Sequence, residues 1–261
     1  MPADVGELQV IALGDLQALA FIVAGALAGG FVNGLTGFGT ALAGLPFWLQ
    51  AVEPVLAAQL ASGCSVAGHM STFPAIWRTV DWRRLAPMLV AGLIGVPLGT
   101  WALPLISLRH FKLGFGVLLV AYCAFGLFAA RWARLRSGRP GVERSMETVV
   151  GFAGGVLGGL AGLSGVLPTV WASLKGWPKS EQRAIFQGFN FTLLSAMLVA
   201  SVTQGLVGLG SLIALCIAAP AAVLAARLGF RLYKGLHALH FDRIVLGLLL
   251  ISGLALVWLS R

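Results

Sequence analysis

The sequence predicts an all-α integral membrane protein made of two inverted-topology repeats of about five segments each. Three observations predict it. Of 261 residues, 58% are hydrophobic and only 10% charged, and the mean hydropathy is +0.91; a soluble domain carries roughly 25% charged residues. The apolar residues fall into runs of helix length, as they must in lipid, where backbone polar groups have to be satisfied internally. The same order of features recurs on either side of one polar stretch, RWARLRSGRPGVERS at 131–145.

Charges bound ten segments, at 15–33, 39–50, 54–77, 84–106 and 111–130, then 146–160, 164–175, 183–203, 209–230 and 243–259. A full span takes about 20 residues, so 39–50, 146–160 and 164–175 are short. Each belongs to a pair joined by a Gly-rich stretch, which predicts broken or re-entrant helical hairpins meeting near the midplane. If the segments alternate, 15 of the 18 Lys and Arg fall on one side, leaving Arg109, Lys112 and Arg261 on the other. The positive-inside rule then places the 131–145 linker in the cytoplasm and both termini outside. The net charge of +9 is thereby a matter of topology, and no nucleic-acid partner is expected. The opening MPADVGELQV is acidic, unlike the positive start of a signal peptide, so no cleavage is expected.

The two halves, 1–145 with its basic linker and 146–261, match in order. GGFVNGLTG at 29–37 aligns without gaps on GGVLGGLAG at 154–162, a shift of 125, and Pro54 and Pro178 each open the next long span. LG at 98–99 precedes HF at 110–111 by the interval that separates LG at 228–229 from HF at 240–241, a shift of 130. Five segments per half, an odd number, make the second half enter from the opposite face. Folds of that kind bind their cargo near the midplane, where broken helices meet.

The glycines of both hairpins stand at spacings that let helices pack backbone to backbone, which accounts for part of their number. It leaves the interleaved polar residues unexplained: Asn33, Thr36 and Thr40 beside Gly37 and Gly39, and Ser164 and Thr169 beside Gly165. A helix that starts inside a membrane leaves its first N–H groups unpaired and presents the positive end of its dipole, a combination suited to anions. The span 54–77 adds Gln59, Ser62, Ser65 and His69, and its counterpart adds Arg183, Gln187, Asn190 and Ser195. Polar groups at membrane depth usually face the bundle interior. Arg183, Gln187 and Asn190 share one helix face by spacing, so a cation and two amides can address a small oxyanion; a snorkelling membrane anchor is the other reading of Arg183. His69 either carries a coupled proton or bonds between helices.

Little else carries chemistry. Between 54 and 130 the only carboxylate is the loop residue Asp81, so paired carboxylates for a proton or sodium relay are missing. Cys64, Cys123 and Cys216 lack metal or redox spacing and read as small hydrophobes. His237 and His240 lie in a basic loop without a further ligand, and no phosphate-binding Walker loop is present. No catalytic residue, metal or cofactor is expected, which makes an enzyme the weakest class. A carrier and an anion channel both remain open. The apolar exterior is open to the lipid bilayer and to a homodimer alike.

GGFVNGLTGFGTALAGLPF (29–47), TVDWRRLAPMLVAGLIGVPLG (79–99) and GFAGGVLGGLAGLSGVLPT (151–169) resemble, in order and spacing, the sulfite exporter TauE/SafE family of membrane anion transporters. FQGFNFT at 186–192 is bulkier than the family pattern there. The resemblance implies a carrier in the cell (inner) membrane that moves a small anion, often outward: sulfite, thiosulfate, organosulfonates such as sulfoacetate, or related organic carboxylates.

Overall fold

The structure is a computed structural model that describes residues 16–72, 80–128, 140–177, 179–233 and 250. The N-terminal ten residues, most of the 131–145 linker, the His237/His240 loop and nearly all of the tenth segment lie outside the described residues. Those described are helical without a strand. In order they form α1 (Leu16–Thr36), α2 (Thr40–Trp48), α3 (Pro54–Thr72), α4 (Trp82–Ala102), a 3-10 turn, α5 (Leu108–Phe128), α6 (Pro140–Ala161), α7 (Val166–Lys175), α8 (Lys179–Thr203) and α9 (Leu209–Tyr233). Five are long and apolar enough to cross a membrane. Large apolar side chains point outward, Val90, Ile94 and Leu224 among them, while Gln59, His69, Arg183 and Gln187 are buried. This arrangement suits a lipid solvent, and the chain is a multi-pass membrane protein.

Two helical hairpins interrupt the long spans. α1 stops at Gly37 and Gly39, both with positive φ (83° and 93°), a conformation that costs an L side chain roughly 1–2 kcal/mol. The Thr36 hydroxyl lies 2.9 Å from the Val32 carbonyl oxygen and 2.6 Å from that of Phe38, and it also faces the Phe38 N–H at 3.3 Å, which fixes the turn. α6 stops at Gly162 (φ 68°), where the Gly162 N–H reaches Gly158 O and the Leu163 N–H reaches Leu157 O. That pattern satisfies the last free carbonyls of a helix. The Trp48 indole pins α2 to α1, its Nε1–H donating to Ile22 O at 3.0 Å, and Gly25 and Gly44 leave room for the ring. The short segment 146–160 belongs to a longer helix, because α6 begins at Pro140 and its polar first turns are held by Glu143 on Lys175 (2.7 Å).

The broadest helix contacts are α4 with α6 and α1 with α9. Both are glycine seams. A Cβ on Gly30 or Gly34 would overlap the carbonyl oxygen of Ala222 or Ala226, and one on Gly155 or Gly159 that of Gly92 or Val96. Gly229 abuts Phe31 O, and Gly99 abuts Val156 O. Adding 125 to the α1 positions and subtracting 130 from the α9 positions turns one seam into the other, the same shifts that align the sequence. α4 starts at Asp81, whose carboxylate accepts the Arg83 N–H at 3.0 Å. It exposes Trp82 near one end and Trp101 near the other.

Candidate functional site

The tips of the two hairpins meet across α3 and α8. Between them lies a cavity of about 10 Å³, room for a single water molecule. Its polar lining comes from Gly39 and Thr40 at the start of α2, Ser65 of α3, Gly165 at the start of α7 and Asn190 of α8; Phe38, Leu42, Leu163, Val166 and Leu194 close it with apolar surface.

The first intrahelical bond of α2 runs from the Ala43 N–H to Gly39 O, so the N–H groups of Thr40, Ala41 and Leu42 precede the helix ladder. The Thr40 hydroxyl beside them is buried and has no hydrogen-bond partner. At the facing tip, the Val166 N–H turns back on Leu163 O at 3.3 Å and Pro168 has no N–H, so α2 offers more free amides than α7. Ser164 donates to Asn190 Oδ1 at 2.5 Å. That turns the Asn190 NH₂ group toward Gly165, where it leaves no space for a side chain. The cavity therefore presents neutral donors: backbone amides with a positive dipole end, hydroxyls and a carboxamide. Such a set can hold an oxyanion without a buried countercharge.

Arg183 sits elsewhere. It lies seven residues before Asn190, about 10 Å along α8, and donates to Gly34 O at 2.6 Å and Leu35 O at 2.7 Å. A cation thus closes the carbonyl end of α1, where the helix dipole is negative. Its guanidinium also stacks on Phe230 at 5.0 Å, and Gly37 lies against its aliphatic stem. Gln187, one turn on, donates to the Thr72 hydroxyl at 3.1 Å. Asn33 reaches Ser65 O at 3.5 Å, while both ring nitrogens of the fully buried His69 lack a hydrogen-bond partner. These residues form a second polar layer, between the cavity and the arginine-bearing end of the bundle.

The remaining candidates spread outward. Gln59 donates to Leu206 O at 3.0 Å in the α8–α9 turn, Ser62 lies against Gly162, and Thr169 donates to Gly165 O within α7 at 2.6 Å. The structure thus gathers Gly39, Thr40, Ser65, Gly165 and Asn190 around one cavity, with Ser62 and Ser164 just behind. It puts Asn33, Thr36, Gly37, His69, Arg183 and Gln187 on the α1 side, Thr169 one turn behind the cavity on Gly165, and Gln59 at the α8–α9 turn. Sequence reasoning passed over Phe38 and Thr72. Phe38 meets Phe186 and Tyr122 edge-on at 5.7 and 6.3 Å between ring centres, and its place between two positive-φ glycines was the available signal. Thr72 stands three residues after His69, on the same helix face.

Among the described residues no group of His, Cys, Asp and Glu could hold a metal. Residues 21–256 match the family model described as Sulfite exporter TauE/SafE. No curated protein matches the chain, and no solved structure does. The family match covers nearly the whole chain and implies membrane transport of sulfur anions.

Proposed function

Because the chain belongs to the sulfite exporter TauE/SafE family, we propose that it is a carrier exporting a small sulfur oxyanion, such as sulfite, thiosulfate or a sulfonate like sulfoacetate, across the cell (inner) membrane. One observation carries the reading: the cavity between the two hairpin tips, where the free amides of α2, the Thr40 hydroxyl and the Asn190 carboxamide converge. Three sulfonyl or sulfite oxygens can each accept from a different donor there.

The cavity is too small for such an anion, so the conformation is an occluded one and binding requires the tips to part. The matching seams α1·α9 and α4·α6 support an inverted repeat whose halves exchange roles. Opening on one side then corresponds to breaking the Arg183 bonds to Gly34 and Leu35, and on the other to breaking Gln59 to Leu206. With the arginine-rich loops cytoplasmic and both termini outside, Arg183 guards the inner mouth. A negative-inside potential drives an anion outward by about 2.3 kcal/mol per charge per 100 mV, so export needs no coupled cation.

The test is counterflow in proteoliposomes loaded with unlabelled thiosulfate, sulfite, sulfoacetate or simple carboxylates. Accumulation of labelled thiosulfate driven by internal sulfur oxyanions, saturable and shifted to higher thiosulfate concentrations in Asn190→Ala, supports the reading. Counterflow with carboxylates alone, or conductive flux without counterflow, overturns it.

A further inference from the structure

We propose that the groove between α4 and α6 at their arginine-bearing ends is a lipid site that selects a primary-ammonium headgroup, phosphatidylethanolamine. The groove has a volume of about 960 Å³, within the range of small-molecule sites. α4 and α6 touch backbone to backbone along Gly92 and Gly155, and the last such contact toward the charged ends is Gly151 on Met88 O. Beyond it the groove opens. Its deeper wall is apolar, with Val90 and Ile94 each 62% exposed at the level of acyl chains. Its mouth carries five charged side chains, Arg83, Arg84, Glu143, Arg144 and Glu147.

Two of the five are already engaged. Arg84 binds Glu181 at 2.7 Å, reaches Asp81 at 3.6 Å and stacks on Trp177, and Glu143 binds Lys175 at 2.7 Å. Arg83, Arg144 and Glu147 make no ion pair among the described residues. The mouth thus offers two guanidinium groups and one carboxylate. A phosphodiester accepts fork-like hydrogen bonds from guanidinium. A primary ammonium next to it on the same headgroup has three N–H donors for the carboxylate. Phosphatidylglycerol lacks that cation, and phosphatidylcholine has a cation without N–H. The site depends on the chain being in a bilayer and not on what it transports.

The test is native mass spectrometry of the delipidated full chain with phosphatidylethanolamine, its N-methyl and N,N-dimethyl derivatives, phosphatidylcholine and phosphatidylglycerol, all with the same acyl chains. The expected result is retention of phosphatidylethanolamine about fivefold above phosphatidylcholine and phosphatidylglycerol, falling stepwise as methyl groups replace N–H. Glu147→Gln is expected to remove the preference, and Arg83→Gln with Arg144→Gln to weaken every phospholipid. Equal retention across the methylation series, phosphatidylglycerol ahead of phosphatidylethanolamine, or an intact preference in Glu147→Gln would overturn the proposal. The series on the unmodified chain decides the matter even if a variant fails to fold.

Discussion

Ser164 holds Asn190 by a single hydrogen bond, 2.5 Å from its hydroxyl to Oδ1, and that bond sets which end of the carboxamide faces the cavity. Asn190→Ala removes the donor and should raise the KM for the transported anion about tenfold, the scale of one hydrogen bond to a charged group. Ser164→Ala frees the amide to turn and should act in the same direction but less. Asn190→Asp adds a carboxylate and should abolish transport. Initial-rate uptake over a range of anion concentrations measures all three, and an unchanged KM in Asn190→Ala would remove the cavity from the pathway.

Arg183 bonds to two carbonyl groups at the end of α1 and is buried. Arg183→Ala should lower thermal stability in detergent, since each charged hydrogen bond contributes about 1.5–3 kcal/mol. Arg183→Lys should restore only part, because an ammonium lacks the fork that spans both oxygens. An Arg183→Lys variant that melts like the wild type would show that charge alone matters at this position.

The seams give a contrast between glycines. Gly155→Leu should prevent monodisperse folding, since a side chain there collides with the Gly92 carbonyl. Gly114→Ala lies in α5 with nothing within 4 Å of the added carbon and should leave size-exclusion behaviour and melting unchanged.

Trp48 fills the space between α1 and α2 and donates to Ile22 O. Trp48→Phe should cost about 1 kcal/mol for the lost hydrogen bond, and Trp48→Ala about 3–5 kcal/mol for the void. Thermal unfolding should rank them wild type, Trp48→Phe, Trp48→Ala; a reversed order would mean that the indole strains the hairpin.

The spans and both hairpin turns were legible because lipid leaves few alternatives. Apolar runs must be helices, and Gly37, Gly39 and Gly162 mark where the chain needs a backbone that other residues resist. The start of α6 was not legible: Glu143 and Arg144 read as part of the linker, whereas they ride on a helix tied down by Lys175, 32 residues beyond Glu143. The site was legible as a neighbourhood only. Spacing puts Arg183, Gln187 and Asn190 on one face of α8, but it says nothing of what lies opposite. Opposite them lie the end of α1 for Arg183, Thr72 for Gln187 and Ser164 for Asn190, three different tasks along one stripe.

The exposed Trp82 and Trp101 on α4 amount to a ruler. They stand 19 residues apart, about 28 Å along a straight helix, close to the roughly 30 Å of a bilayer's hydrocarbon core. Indole rings settle at the headgroup boundary, so α4 is matched to one membrane thickness. In bilayers of much longer acyl chains it must tilt or draw the lipid in around it, and since α4 is sewn to α6 along their glycines, the second hairpin must lean with it.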